Sequence, residues 1–320
     1  MFSEMGYRAL TVAAGFVVRA DHGMLRVSGA ERAAWLQGLL TNDVLSLPQH
    51  DARYAAYLTP HGRMISDMRL VALADALLLE VPRAVAHSLA GRLDALIFAE
   101  DVQVTDQSEM TAIVEVYGPD ADAAIRACQQ ALGSLGAHVA RDMSSLLAVR
   151  MLYVTAAQLP ALRQALRAAD LPEVSADTLD VLRIETGIPK FLVDMDQDTI
   201  PLEAGIEDRA ISFNKGCYVG QEIIVRVTQR GGGRVAKRLV GLLVDGVDVP
   251  PAGAPIVTAQ REIGRVTSAT RSPALARTVA LGYVHRDFVQ PGTRVQIPGP
   301  GERTLDAVVA SLPFVSRALA

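Results

Sequence analysis

Cysteine is scarce in this sequence: its 320 residues include only two, Cys128 and Cys217, which lie far apart along the chain. Two thiols exclude a disulfide framework and are typical of a protein kept in a reducing cytoplasm. They also exclude an all-cysteine zinc site and an iron–sulfur cluster held by this chain alone, because such centres need about four ligands. We therefore expect a cytoplasmic protein.

Long apolar runs and an excess of basic residues are also missing. No stretch of about 18 uncharged apolar residues occurs, so the sequence predicts no membrane-spanning helix. Lys and Arg number 31 against 35 Asp and Glu, for a net charge of −4. This mildly acidic balance argues against nucleic acid or an anionic membrane as a partner. Hydrophobic residues make up 50% of the chain, which is enough for a buried core and excludes a disordered protein.

The common catalytic motifs do not occur either. None of the six histidines has the spacing of a metal site, and no glycine-rich phosphate-binding loop is present. The GxSxG motif of serine hydrolases is missing as well. We therefore predict no metal ligands and disfavour a serine hydrolase.

Hydrophobic periodicity divides the chain into two parts. In the longer first part, helical patterns such as 83–97 alternate with strand patterns such as 64–73, and short loops join some strands into antiparallel pairs. This order is typical of α+β layers rather than of a doubly wound sheet. Short β-branched runs separated by Gly and Pro then predict a small all-β barrel or sandwich. With the boundary at Gly231–Gly233, we expect an α+β domain over 1–233 and a β domain over 234–320.

Cys217 stands out by its neighbours. It lies in the segment 214–222, where two glycines flank the thiol and an aromatic residue. Glycine permits a close approach of the backbone to another group. Lys215 and the nearby arginines would lower the pKa of the thiol and favour the reactive thiolate. A buried, inert cysteine is the alternative, and the local sequence does not decide between the two.

The segment 219–228 is ambiguous between strand and helix. Its β-branched residues favour a strand. A helix would place Glu222, Arg226 and Arg230 on one face, where the guanidinium groups suit a carboxylate or a phosphate. The acidic stretch 185–208 and the basic stretch 215–238 could pair with each other or line a cleft for a ligand with both charges.

Residues 215–222 read KGCYVGQE and strongly resemble the YgfZ family, whose hallmark is K-G-C-[FY]-x-G-Q-E. Arg226 and Arg230 match the R-x-x-x-R-G continuation of that family. Upstream, LRIETGIP at 182–189 and QGLLTNDV at 37–44 are similar to segments of the glycine-cleavage T-protein, which belongs to the same superfamily.

The resemblance implies a folate-binding fold: α+β subdomains in a ring around a central folate cavity, followed by a small all-β barrel. It implies tetrahydrofolate or a derivative as the cofactor. By this resemblance Glu185 accepts hydrogen bonds from the pterin ring, since a carboxylate can accept two side by side. Arg226 and Arg230 would face the folate glutamate tail or an anionic group of a partner. The other cofactor-binding residues implied are Arg183, Lys215, Tyr218, Gln221, Glu222, Asn42 and Asp43.

The resemblance also implies a function. It points to a tetrahydrofolate-binding accessory protein for iron–sulfur cluster assembly or repair, with Cys217 as a reactive thiolate and with iron–sulfur enzymes or assembly proteins as partners. The alternative is a folate-dependent aminomethyl or one-carbon transferase. The T-protein carries a catalytic Asp shortly after the strand that 77–81 matches, but Val81–Ser88 contains no carboxylate. Aminomethyl transfer needs a group to steer protons at the folate amines, so this absence argues against enzymatic activity. A folate-fold scaffold with no chemistry at Cys217 is a third possibility.

Overall fold

The computed structural model describes residues 1–142, 144–230, 232–259, 261–299, 301 and 303–316. The contacts divide these residues into two compact units. The N-terminal unit comprises 1–179 with 208–221, and the barrel unit comprises 180–207 together with the chain from 222 onward.

The helices are α1 (Glu4–Val12), α2 (Arg32–Leu39), α3 (Arg83–Asp94), α4 (Ala121–Ala127), α5 (Gln129–Ser134), α6 (Leu159–Ala168), α7 (Ala176–Glu185), α8 (Pro201–Ala204), α9 (Glu207–Ala210) and α10 (Gln221–Val225). Short 3-10 turns cover Ala156–Gln158 and Arg286–Phe288, and a π-helical turn covers Arg226–Arg230.

The strands of the N-terminal unit are β1 (Gly15–Val18), β2 (His22–Ser28), β3 (Asp51–Leu58), β4 (Met64–Ala72), β5 (Ala76–Pro82), β6 (Gln103–Asp106), β7 (Thr111–Tyr117), β8 (His138–Asp142) and β9 (Val149–Thr155). They form one sheet in the order β1-β7-β9-β8-β3-β4-β5-β2-β6. The β3–β8 pair is parallel, whereas pairs such as β3–β4 and β7–β9 are antiparallel.

Helices cover one face of this sheet in two groups. α2 and α3 contribute Leu36, Leu89 and Leu93 to a core shared with β2 to β5, and α4 to α6 pack on β7 and β9 in a second core. In α3 the buried leucines follow helical spacing, so the apolar stripe of the sequence faces the sheet. Burial of this stripe, at roughly 25 cal/mol per Å² of apolar surface, is what holds these helices in place.

The short loop at Pro60-His61-Gly62 joins β3 and β4 into an antiparallel hairpin. The turn closes because the Thr59 amide donates to the Arg63 carbonyl at 2.8 Å. Gly62 has a φ of 72°, which a glycine adopts without strain.

The second part of the chain forms a closed barrel, which confirms the predicted all-β region. Its strands are β10 (Lys237–Val244), β11 (Pro255–Thr258), β12 (Arg261–Ser272), β13 (Arg277–His285), β14 (Arg294–Pro298) and β15 (Thr304–Ala310), in the order β10-β13-β12-β11-β14-β15. β14 alternates exposed and buried residues, so Val295 and Ile297 point into the barrel core. This period of two is what the short apolar runs of the sequence predict.

Residues 180–207 belong to the barrel unit even though they precede the barrel in sequence. Ile184 packs against Leu239, Val279 and Leu281 on the barrel strands. The α+β class with a small C-terminal barrel is confirmed. The boundary at Gly231–Gly233 stays a prediction, and Gly231 itself lies outside the described residues.

The ambiguous segment after Gly220 is helical rather than extended, since α10 leads into the π-helical turn. None of the helices in the described parts of the chain is long and apolar enough to cross a membrane. Across the same residues, no group of three or more His, Cys, Asp or Glu is arranged to hold a metal ion.

Candidate functional site

Cys217 lies on a loop of the N-terminal unit that we call the thiol loop, residues 212–221. Its side chain is exposed, whereas Cys128 is buried in the core beneath α4. The exposure fits the prediction of an accessible thiol and disfavours the buried, inert alternative. An exposed thiol is useful only if it is presented reproducibly, which requires that the loop be held in place.

Lys215 fixes the first half of the thiol loop. Its Nζ donates to the backbone carbonyls of Gln37, Leu40 and Asn42 at 2.7, 2.6 and 3.0 Å. Gln37 and Leu40 lie at the C-terminal end of α2, where carbonyls lack partners within the helix and the helix dipole favours a cation. The ammonium also lies 5.2 Å from the centre of the Tyr218 ring. The contacts of Lys215 are therefore with carbonyls and a ring, and its effect on the Cys217 thiol stays a prediction.

Burial lowers the pKa of Lys215 to about 8, and the charge of nearby Asp43 partly opposes this effect. Burial also raises the pKa of Tyr218 to about 12, so its phenol stays neutral at neutral pH.

The residues that receive this loop form what we call the anchor segment, 37–44, which is the QGLLTNDV motif. Thr41 is fully buried and donates from Oγ1 to the Ala210 carbonyl at 2.6 Å. The Asn42 amide donates to the carbonyls of Tyr54 and Arg209, both at 2.8 Å. Two motifs that are far apart in the sequence are thus one structural feature, with the anchor segment holding the chain that leads to Cys217.

The anchor segment is itself closed by side-chain hydrogen bonds. Gln37 donates from Nε2 to Asp43 at 3.0 Å and accepts from the Val44 amide at 2.7 Å. A hydrogen bond from Ser46 lowers the pKa of Asp43, and the bond from Gln37 adds to this. Asn42 and Asp43 therefore have structural contacts in this structure, while their predicted contact with folate stays a prediction.

Gly220 fixes the second half of the thiol loop. Its φ is 84°, and a Cβ at this position would lie 2.6 Å from the Thr59 carbonyl oxygen. The loop can approach the β3–β4 turn this closely only because residue 220 is glycine. Gly216, on the other side of Cys217, has no atom within 4 Å of a built Cβ, so only one of the two glycines is required by packing.

The predicted pterin ligand Glu185 lies in the barrel unit and is fully buried. Its Oε1 accepts from Ser272 Oγ at 2.5 Å and from the Ala274 amide at 3.3 Å. Arg183 is also buried, with its guanidinium on Asp194 at 2.6 Å and on Ser268 at 2.8 Å. Both residues tie residues 180–207 to the barrel, and their roles toward folate remain predictions.

The predicted basic face of α10 is solvent-accessible where it is described. Arg226 and Glu222 are exposed, and Gln221 is half-buried. Among the described residues we find no ion pair of the Arg226 guanidinium. Arg230 ends the π-helical turn, and its side chain lies outside what the structure describes.

These observations allow a test of whether the residues fit a folate. An exposed guanidinium at Arg226 fits the carboxylates of a glutamate tail. Glu185, the residue predicted to bind the pterin ring, is in a different situation. Its carboxylate already accepts a hydrogen bond from Ser272, so it does not support binding of the pterin end in the same way. The residues therefore fit one end of the cofactor, and we derive no catalytic step through it.

The sequence analysis missed a cluster of buried charges on the sheet face opposite the helices, which we call the charged core. Arg69 pairs with Glu80, Glu115 and Asp142, and Arg19 pairs with Glu115 at 2.5 Å. Burial alone would raise the pKa of Glu115, but the two guanidinium groups outweigh it and hold the pKa below its usual range. A carboxylate in the middle of an apolar strand, as in AIVEVY, was the signal that could have revealed the cluster.

His22 and two tyrosines extend the charged core. His22 Nδ1 lies 2.5 Å from Glu80, and the Tyr153 hydroxyl donates to the same carboxylate at 2.8 Å. Tyr117 donates to Glu115 at 2.7 Å. These bonds link side chains of β2, β4, β5, β7 and β9 across the sheet.

The place where a T-protein carboxylate is expected lies at the start of α3. Pro82 precedes the first turn, and that turn holds no acidic side chain. Glu80, two residues earlier, is on β5 and belongs to the charged core. The structure therefore supplies no substitute carboxylate from the first turn of α3.

Comparison with known proteins identifies the family. Residues 5–144 match the glycine cleavage T-protein (GCVT) N-terminal domain, and residues 237–316 match the glycine cleavage T-protein C-terminal barrel domain. The chain therefore belongs to the glycine cleavage T-protein-like family. Tetrahydrofolate is the cofactor of aminomethyltransferases in this family, which confirms the predicted cofactor at the level of the family.

Individual relatives agree with this assignment. The aminomethyltransferase of Rubrobacter xylanophilus is 28% identical over 97% of this chain and 86% of its own length. That of Cutibacterium acnes is 29% identical over 97% of this chain and 90% of its own length. The crystal structure of aminomethyltransferase T of the glycine cleavage system from Bartonella henselae superposes with a TM-score of 0.86 at 21% identity, covering 99% of this chain and 90% of that one. The fold is thus that of the T-protein.

Proposed function

We propose that this protein binds tetrahydrofolate and acts in the cytoplasm as an accessory factor for the assembly or repair of iron–sulfur proteins, through the thiol of Cys217. The observation that carries the proposal is the exposure of Cys217 on a loop fixed on both sides, by Lys215 and by Gly220. An exposed thiol can reach a partner protein, whereas a buried one is inert.

The number of thiols limits what Cys217 does in cluster chemistry. Cys128 is buried in an apolar core, where burial raises the pKa of its thiol. One accessible thiolate provides one ligand, so the proposed role is transient or shared ligation with an iron–sulfur enzyme or an assembly protein.

Folate-dependent aminomethyl transfer is the second candidate function, and the relatives favour it. The compared proteins are named aminomethyltransferases and align over nearly their whole length. They support this candidate more directly than the iron–sulfur role, to which none of those names refers. The missing carboxylate in 82–88 weighs against it, because transfer requires a group that moves a proton at the folate amines.

One experiment separates the two candidates. In cells that lack the native protein, the activity of an iron–sulfur enzyme is measured with wild type, C217S and, as matched control, C128S. The proposal expects wild type and C128S to restore activity and C217S to fail. Restoration by C217S would refute the thiol role. Formation of methylenetetrahydrofolate from an aminomethylated carrier, by wild type and C217S alike, would establish the transferase instead.

Folate binding is tested by titration calorimetry with tetrahydrofolate in monoglutamate and polyglutamate forms. R226M should weaken binding of the polyglutamate form by about 1 kcal/mol, roughly fivefold in Kd. Binding of the monoglutamate form should be unchanged. E185Q should weaken both forms, whereas S272A, which removes only the structural partner, should not. Equal effects of E185Q and S272A would reduce Glu185 to a structural residue.

A further inference from the structure

Lys215 is unlike the other lysines of the chain. There are three lysines in all, Lys190, Lys215 and Lys237. Lys237 also lies over a tyrosine ring, with its Nζ 5.0 Å from the centre of Tyr283. Lys215 combines such a ring contact with three hydrogen bonds to backbone carbonyls.

The protonation state of Lys215 determines how many of these bonds it can make. An ammonium has three N–H donors and no acceptor, so it satisfies three carbonyls at once. A neutral amine has two N–H donors, and it lacks the charge that strengthens bonds to the end of α2. Deprotonation therefore leaves at least one carbonyl of the anchor segment without its donor.

The surroundings bring this deprotonation close to physiological pH. Burial lowers the pKa of Lys215 to about 8. The titratable groups that face it are Asp43, from the anchor segment, and Tyr218, from the loop itself. Arg53 on β3 lies 4.0 Å from the Asp43 carboxylate.

We propose that Lys215 is the positioning residue of Cys217: its charged ammonium holds the thiol loop on the anchor segment, and loss of the proton releases the loop. This inference rests on the proposed function, in which Cys217 is the working group. It changes the role that the sequence suggests for Lys215 from acidifying the thiol to presenting it.

The test is amide hydrogen exchange of peptides covering 212–221, corrected for the intrinsic exchange rate, between about pH 6.5 and about pH 9. In wild type, protection should fall with a midpoint near the Lys215 pKa of about 8. K215M should exchange about tenfold faster at neutral pH, because it loses bonds to a charged donor. K215R keeps a positive charge at this position, so the protection of its loop should show no midpoint near pH 8. K237M is the matched control and should behave as wild type.

Alkylation of Cys217 by iodoacetamide supplies the second readout. The rate of alkylation at neutral pH should change in K215M together with the loop exchange, because release of the loop alters how the thiol is presented. A changed alkylation rate in K215M with unchanged loop exchange would overturn the proposal. If K215M does not fold, the wild-type and K215R exchange profiles decide the question.

These outcomes are independent of the proposed function. Restoration of iron–sulfur enzyme activity by C217S would refute that function and leave the exchange profile intact. Loop protection that is independent of pH in wild type would refute the role of Lys215 and leave the thiol role intact.

Discussion

At Gly220 the side chain is excluded by two independent constraints. Its φ of 84° is strained for an L-residue, and a Cβ would lie 2.6 Å from the Thr59 carbonyl oxygen. We expect G220A to lower the free energy of unfolding by about 2 kcal/mol. Urea denaturation of the full chain measures this effect.

The control for G220A is in the same motif. Gly216 has open space around a built Cβ, so G216A should change the free energy of unfolding by less than about 0.5 kcal/mol. Equal destabilisation by G216A and G220A would show that the approach to the β3–β4 turn does not determine the requirement for glycine.

Single residues also show how far the sequence could be interpreted. The family resemblance of KGCYVGQE implies a reactive thiol at Cys217, and the exposure of Cys217 agrees with it. It does not predict that Lys215 binds carbonyls near residue 40, because a contact across about 175 positions leaves no local pattern. The same reason explains why Glu185 is assigned to a ligand by resemblance while the structure pairs it with Ser272.

Among the secondary-structure elements, those with clear periodicity are the predictable ones. The β3–β4 hairpin and α3 follow from alternating and helical patterns. β8 was not predicted, because HVARD carries two charged residues in five positions and has no clear apolar alternation. The helical form of α10 depends on packing, since the β-branched residues of the segment favour a strand by propensity.

β4, β5 and β7 meet in the charged core, and this predicts how stability depends on pH. The pKa of Glu115 is lower in the folded chain than its unfolded value of about 4.3. The carboxylate therefore stabilises the fold fully above that value, and the contribution is lost as pH falls toward the folded pKa. Unfolding takes up a proton over this acidic range.

E115Q removes the charge without removing the side chain. At neutral pH we expect a loss of about 3 kcal/mol, because two buried guanidinium groups lose a partner. The stability of E115Q should also fall less steeply from about pH 5 to about pH 2 than that of wild type. E109Q is the control: Glu109 pairs with Arg83 at the surface, and its loss should cost under about 1 kcal/mol. An equally steep acid profile for E115Q would contradict the assignment.

At the scale of the whole molecule, a single cut in the sequence does not separate the two compact units, because residues 180–207 belong to the barrel unit. Sequence composition changes after Gly233, and a boundary there is the natural prediction. The contacts instead join 180–207 to the barrel, through Ile184 on Leu281 and through Arg183 on Ser268. No local sequence pattern predicts that these residues belong with the barrel, because an amphipathic helix does not reveal which neighbour covers its apolar face.

The barrel alone, as a fragment of residues 234–320, tests this organisation. Without residues 180–207 the fragment loses Ile184 from the apolar cluster that contains Leu239, Val279 and Leu281. Uncovering one such contact costs about 2 to 5 kcal/mol, and a core in a domain of this size supplies roughly 5 kcal/mol in total. We therefore expect the fragment to bind a hydrophobic dye and to unfold without a cooperative transition, whereas I184A in the full chain should destabilise the barrel strands in hydrogen exchange. A fragment that unfolds cooperatively with the stability of the intact barrel would establish the boundary at Gly233 and reduce residues 180–207 to a linker.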